Sequence, residues 1–303
     1  MKQFLNSPKR KGYFFAALSA IAVSNVYIFS KAALRETDLF VFGFFWFLSA
    51  FSYNLIYTLS TKKFRLYFTY TSRQKVVLAL IGLMEMTAAY FFFEGVKVIE
   101  NPTIVSFLDT CTPIFVTIMG IIFLQDKFNR VEVSGMVLAI LGAVLVSYSG
   151  TFSFSNLFIY GSHFAVLASF FASLGITLAK RQIKAYDPAI LSFNRTIYLV
   201  GLFLILMLVY GRSFSITPQS FLFAALGSFA GPFIGAVLQY NSFKYIEASK
   251  TMIIQSTRSF IVLIISLLFF GLFPLIHQLA GGVIAIVGVI IITLGSMKIR
   301  PKF

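Results

Sequence analysis

The chain has 303 residues, of which 58% are hydrophobic and only 12% charged, with a formal charge of +15. A soluble domain of that size could not cover itself with so few charged side chains. Nucleic-acid binders set basic patches on a polar background, whereas here the basic residues fall in short gaps between apolar runs, as in a polytopic membrane protein.

About 20 apolar residues cross the hydrocarbon core as a helix. The N-terminal stretch MKQFLNSPKRKG is basic and opens onto a long apolar run without a small-x-small cleavage site, so it predicts an uncleaved first span over 12–33. Further apolar runs follow at 39–60, 76–96, 102–124, 132–149, 158–179, 189–210, 219–241, 250–271 and 274–296. The pattern predicts an all-α polytopic membrane protein of ten transmembrane helices. Its connections are too short for a soluble domain.

Lys and Arg separate by alternate gaps, 19 on one side against 4 on the other, with Arg195 and Arg258 inside spans. The positive-inside rule then places both termini in the cytoplasm. An even number of spans requires the same, and the expected location is the cell inner membrane. Cys111 is the only cysteine, which excludes an intrachain disulfide. His163 and His277 have no ligand-spaced partner and read as interfacial polar residues rather than metal ligands. No cofactor or metal is expected, and the chain has no G-x-x-x-x-G-K-[ST] loop for ATP.

The two halves match each other. At a shift of 149, GYFFAALSAIAVSNVYIFSK (12–31) lies over GSHFAVLASFFASLGITLAK (161–180), and Asp38 meets Asp187. KVIEN parallels KYIEA, and Gly135 and Gly142 parallel Gly281 and Gly288, at slightly smaller shifts. Residues 1–150 and 151–303 thus form two five-helix repeats. Five is odd, so the second enters the membrane upside down, an inverted repeat that places a site at the midplane.

This layout resembles the drug/metabolite transporter superfamily, in particular its EamA-type members. The likeness is carried by TIVSFLDTCTPIFVTIMGIIFLQDKFNRVEVSGMVLAILGAVLVSYSG (103–150), with Pro113, the FLQDKF turn and Gly135, and by the corresponding layout over 245–295. The usual glutamate after the fourth span is replaced by Gln125-Asp126, and the ninth span has no proline. The resemblance implies carrier-type movement of a small metabolite across an inner membrane.

Ionisable residues inside spans are costly, about 2.5–3.5 kcal/mol for a central arginine, and are functional candidates for that reason. Glu85, Asp109 and Arg258 lie about 13–15 Å from an end of their spans, near the midplane, and Arg195 sits beside Asn194 nearer the cytoplasmic side. Ser106, Asp109, Thr110 and Pro113 share a helical stripe in span four, as do Gln255, Arg258 and Ser259 in span nine. At a shift of 149, Asp109 falls on Arg258. The candidate substrate-binding residues are therefore Arg258, Asp109, Glu85, Gln255, Ser106, Asn194 and Arg195. Arg258 either lines a cavity and binds an anionic group, or pairs permanently with Asp109 or Glu85. An unpaired Glu85 would be the proton-coupling group.

Other features favour packing: Gly227, Gly231 and Gly235 around a kinking Pro232 in span eight, and a bulky aromatic segment over 42–57. The expected function is a secondary transporter that moves a small polar or amphipathic, amino-acid-like metabolite by alternating access. An intramembrane enzyme or a lipid-translocating partner subunit is the alternative; enzymes of that kind cluster Asp, His or Glu at a membrane boundary, and the chain has no such cluster. The expected partners are a small-molecule substrate and the lipid bilayer, with a homodimer left open and no nucleic acid.

Overall fold

A computed structural model describes residues 7–124, 130–150, 158–246 and 248–299. The turn at Gln125-Asp126 lies outside them. In chain order the helices are α1 (Pro8–Leu34), α2 (Leu39–Ser60), the short α3 (Leu66–Thr69), α4 (Ser72–Val98), α5 (Pro102–Leu108), α6 (Cys111–Leu124), α7 (Arg130–Ser147), α8 (Ser162–Arg181), α9 (Pro188–Val209) and α10 (Pro218–Ser228). A π-helical segment, Phe229–Gly235, joins α10 to α11 (Ala236–Tyr245), and α12 (Ala248–Ser256), α13 (Arg258–Phe270) and α14 (Ile276–Ile299) complete the order.

Among the described residues, seven segments are long and apolar enough to cross a membrane: Pro8–Leu34, Leu39–Ser60, Ser72–Val98, Pro102–Gly120, Ser162–Arg181, Pro188–Val209 and Pro218–Tyr245. Shorter apolar helices, Val133–Ser147, Ile254–Phe270 and Ile276–Ile292, occupy the other predicted runs. In hydrocarbon a helix must satisfy its own backbone groups, and the entries here are built for that. Proline follows the cap at α1, α5, α9 and α10, where its missing N–H costs nothing. Asp38, Asn101 and Asp187 each accept from the backbone N–H two residues on, at 2.9–3.0 Å.

Three predicted spans are not continuous helices. In the fourth, Pro113 has no N–H to give the Asp109 carbonyl, and Thr112 N takes that acceptor at 3.0 Å, so the helix breaks between Leu108 and Cys111. In the ninth, a tight turn from Thr257 N to the Ile254 carbonyl, reinforced by the Thr257 hydroxyl on the same oxygen, breaks the helix just before Arg258. In the eighth, Pro232 falls inside the π segment; its own carbonyl accepts from Ser192 and Asn54 side chains, at 3.2 and 3.4 Å.

Packing between the helices is reciprocal. α1 runs along the α10–π–α11 unit and α4 along α8; α2 faces α9, and α7 faces α14. At the last contact the backbones touch: a Cβ on Gly142 would lie 2.4 Å from Ala285 N, and one on Gly281 2.8 Å from the Gly142 carbonyl oxygen. Gly227, Gly231 and Gly235 likewise admit Trp46, Val26 and Val23 at distances no Cβ would tolerate, as the packing reading expects. The aromatic segment over 42–57 supplies core: Phe42, Trp46 and Phe47 are buried against Phe93, and Phe47 stacks on Phe203.

The matched charges of the two halves do matched work. Lys31, counted above with a loop, is buried and donates to the carbonyls of Val96, Lys97 and Ile99 at the end of α4. Lys180 donates to those of Phe243 and Ile246 at the end of α11. Each lysine occupies carbonyls that a helix C-terminus leaves unbonded. Asp38 pairs with Arg212 at 3.6 Å at one end of the α2–α9 contact, and Asp187 pairs with Lys63 at 3.1 Å at the other.

Candidate functional site

The breaks in the fourth and ninth predicted spans meet. Asp109 sits where α5 ends and Arg258 where α13 begins, and the Arg258 guanidinium bonds the Asp109 carboxylate through Nη2 and Oδ2. Three more donors converge on that carboxylate. Tyr27 of α1 reaches Oδ2 at 2.6 Å, and Thr112 of α6 and Ser169 of α8 reach Oδ1 at 2.8 and 3.2 Å. The Arg258 guanidinium also lies 5.7 Å from the centre of the Tyr27 ring. Asp109 thus ties four helices together through charge-assisted bonds, which are about twice as strong as neutral ones.

A second ion pair lies nearby. Arg195 Nε of α9 stands 3.1 Å from Glu85 Oε2 of α4. Its geometry is looser, because that Nε is not aligned to make a hydrogen bond. Gly175 of α8 leaves space beside Glu85; a Cβ there would come within 3.5 Å of Oε1.

Both pairs line one chamber of about 170 Å³. A benzene-sized ligand fits an engineered cavity of about 150 Å³, so this chamber suits a metabolite of a similar number of heavy atoms. Aromatic and small apolar side chains, among them Trp46, Phe47, Phe92, Phe93, Ala168 and Ala172, form part of the wall. Ser106, Thr112, Gln239, Tyr240, Gln255 and Ser259 add polar groups. Trp46 Nε1, Arg195 Nε and Gln255 Oε1 are buried and make no hydrogen bond among the described residues. Buried polar groups are normally satisfied, and these three are exceptions in residues that line the chamber.

Six of the seven candidate residues therefore come together in the wall: Glu85, Ser106, Asp109, Arg195, Gln255 and Arg258. Asn194 lies outside it. It is fully buried, and its Nδ2 donates at 2.8 Å to the Leu78 carbonyl of α4, which ties α9 to α4. An Asn194→Ala variant should lose about 0.5–1.5 kcal/mol of stability with that hydrogen bond while leaving cargo affinity unchanged; thermal melting and a binding isotherm on one preparation separate the two effects. Arg258 pairs with Asp109 rather than Glu85, and Glu85 is not unpaired as the coupling reading required. Tyr27, Thr112 and Ser169 were not anticipated. Tyr27 carried a usable signal, since it is a polar tip deep in the first span.

Two ion pairs, one of them at helix breaks, facing a chamber inside a bundle of apolar helices fit a polytopic membrane protein. The pattern of the EamA-like transporter family matches residues 10–148 and 159–294, and the chain belongs to that family. Its relatives include an uncharacterized transporter of Archaeoglobus fulgidus, 27% identical over 114 residues that make up 38% of this chain and 40% of that protein. Another is the uncharacterized transporter YxxF of Bacillus subtilis, 24% identical over 177 residues, 58% of this chain and 56% of that protein. These matches span about half the length of the curated relatives or less. One solved crystal structure shares the fold at a TM-score of 0.67 with 13% identity, covering 94% of this chain and 98% of that one.

Proposed function

We propose that this protein is a secondary carrier that moves a small polar or amphipathic metabolite, amino-acid-like in its charge, by alternating access through the chamber. The observation that carries this reading is the meeting of two broken helices at an ion pair in the wall of a cavity that polar side chains also line. Broken helices place backbone and side-chain polar groups at the midplane, where continuous apolar helices offer none. A zwitterion uses both charge signs of the wall. A guanidinium offers its carboxylate two parallel hydrogen bonds.

On this reading the ten apolar segments all cross an inner membrane, both termini are cytoplasmic, and residues 1–150 and 151–303 are inverted halves. The matched lysines capping α4 and α11, and the matched pairs Asp38–Arg212 and Asp187–Lys63, support two copies of one unit. Purified protein in liposomes should take up a labelled neutral amino acid saturably. Release of product without any flux would favour the enzyme reading instead.

The two ion pairs at the ends of the α2–α9 contact are partly exposed and worth at most about 1 kcal/mol each to stability. Asp38→Asn and Asp187→Asn should each leave the melting temperature almost unchanged. Each should still alter the flux rate by a factor of up to about five, the kinetic equivalent of that energy. Flux unaltered in both variants would show that neither pair contributes to the transport step.

A further inference from the structure

The chamber holds two arginine–carboxylate pairs, and they differ in how tightly they are held. Asp109 is bonded by four donors from four helices and has its lone pairs occupied. Glu85 and Arg195 are close but misaligned, with Arg195 Nε left without a hydrogen bond. Arg195 is also the more open of the two arginines, its side chain 24% exposed against 16% for Arg258. Among the described residues of the wall the fixed charges are Glu85, Asp109, Arg195 and Arg258, which sum to zero.

We infer that cargo exchanges into the Glu85–Arg195 pair while Asp109–Arg258 stays closed as a helix lock, and that the carrier moves only loads of zero net charge: a zwitterion alone, or a monocarboxylate with one proton. The inference rests on the carrier reading above. A cargo carboxylate that takes the Arg195 guanidinium strips Glu85 of its counter-charge. A zwitterion answers with its own ammonium, which occupies Glu85. A monocarboxylate brings no cation, and a lone buried carboxylate neutralises by taking up a proton rather than staying charged. In both cases the loaded chamber is as neutral as the empty one.

The groups around Glu85 fit this exchange. Arg195 of α9 faces it, Tyr240 of α11 lines the same chamber, and Tyr198 of α9 packs over Gly82 one turn away. α8 presents Gly175, and α2 presents Trp46 and Phe47 to the same chamber. Asp109, Arg258 and Tyr27 face the chamber as well but are bound to one another. Among these described neighbours Arg195 is the one cation that could keep Glu85 charged.

The test uses the full chain in liposomes with labelled alanine and labelled lactate under imposed potassium-diffusion potentials. A single net charge would change the accumulation ratio about fiftyfold per ~100 mV. The expected result is that neither alanine nor lactate accumulation follows the potential. Lactate entry should also remove one proton per lactate from the medium, and alanine entry none. Glu85→Gln should make lactate uptake proton-free and potential-driven and should weaken alanine uptake at least about tenfold, the effect of losing one charged contact. Potential-dependent accumulation in the parent chain overturns this inference and leaves the carrier reading standing. Absence of saturable flux for both probes overturns the carrier reading and this inference with it. The parent result does not depend on whether the variant folds.

Discussion

Arg258→Met should abolish flux and lower stability by about 3–5 kcal/mol, the cost of leaving one member of a buried ion pair without its partner. Asp109 would then hold a charge against Tyr27, Thr112 and Ser169 alone, with no cation beside it. A second change, Asp109→Asn in the same chain, removes that stranded charge and should recover most of the lost stability, because an asparagine can keep the hydroxyl partners. The two single changes are in contact and should be strongly non-additive. Thermal melting of the four proteins in one detergent measures the coupling. A single variant as stable as the parent would mean that the pair locks nothing.

The second large effect lies away from the chamber. Gly142→Leu should prevent α7 and α14 from meeting and cost about 3 kcal/mol or more, since the added side chain meets backbone that has nowhere to move. Its Cβ alone would fall 2.4 Å from Ala285 N and 2.6 Å from the Gly281 carbonyl oxygen. Gly281→Leu should behave alike from the other helix. Gly201→Leu is the matched control, because nothing lies within 4 Å of a Cβ there. Comparing the three for melting temperature and yield of folded protein tests the contact. A Gly142 variant that melts with the control would show that the two helices are not pressed together.

Much of this was legible in the residues. Apolar runs separated by charge and proline marked the helices, because chain entry into hydrocarbon demands caps and apolar length. The matched Lys31 and Lys180, and the matched Asp38 and Asp187, pointed to repeated structure, and the structure gives each pair a repeated task. The stripes of spans four and nine placed Ser106, Asp109, Gln255, Arg258 and Ser259 on one chamber, since a polar face cannot rest against lipid.

What stayed hidden was the choice of partner and the local backbone. Helical phase puts Arg258 on a face but does not say whether Glu85 or Asp109 stands across from it; that depends on helix tilt and register. Arg195 and Asn194 are neighbours in sequence, yet only Arg195 reaches the chamber, because consecutive residues on a helix point about 100° apart. The break at Pro113 could be foreseen from its missing N–H. The break at Thr257 could not, since Ser and Thr are common in unbroken helices and compete with the backbone only in some settings.

The central claim is that cargo sits among Glu85, Arg195, Asp109 and Arg258 on its way across the membrane. The most direct measurement places a single thiol in that wall, Ala172→Cys in a Cys111→Ser background, and follows its labelling by a membrane-impermeant thiol reagent in liposomes. The account predicts that the thiol is labelled and that saturating alanine blocks the reaction. Labelling that proceeds at the same rate with and without alanine, in protein that carries alanine, would contradict it.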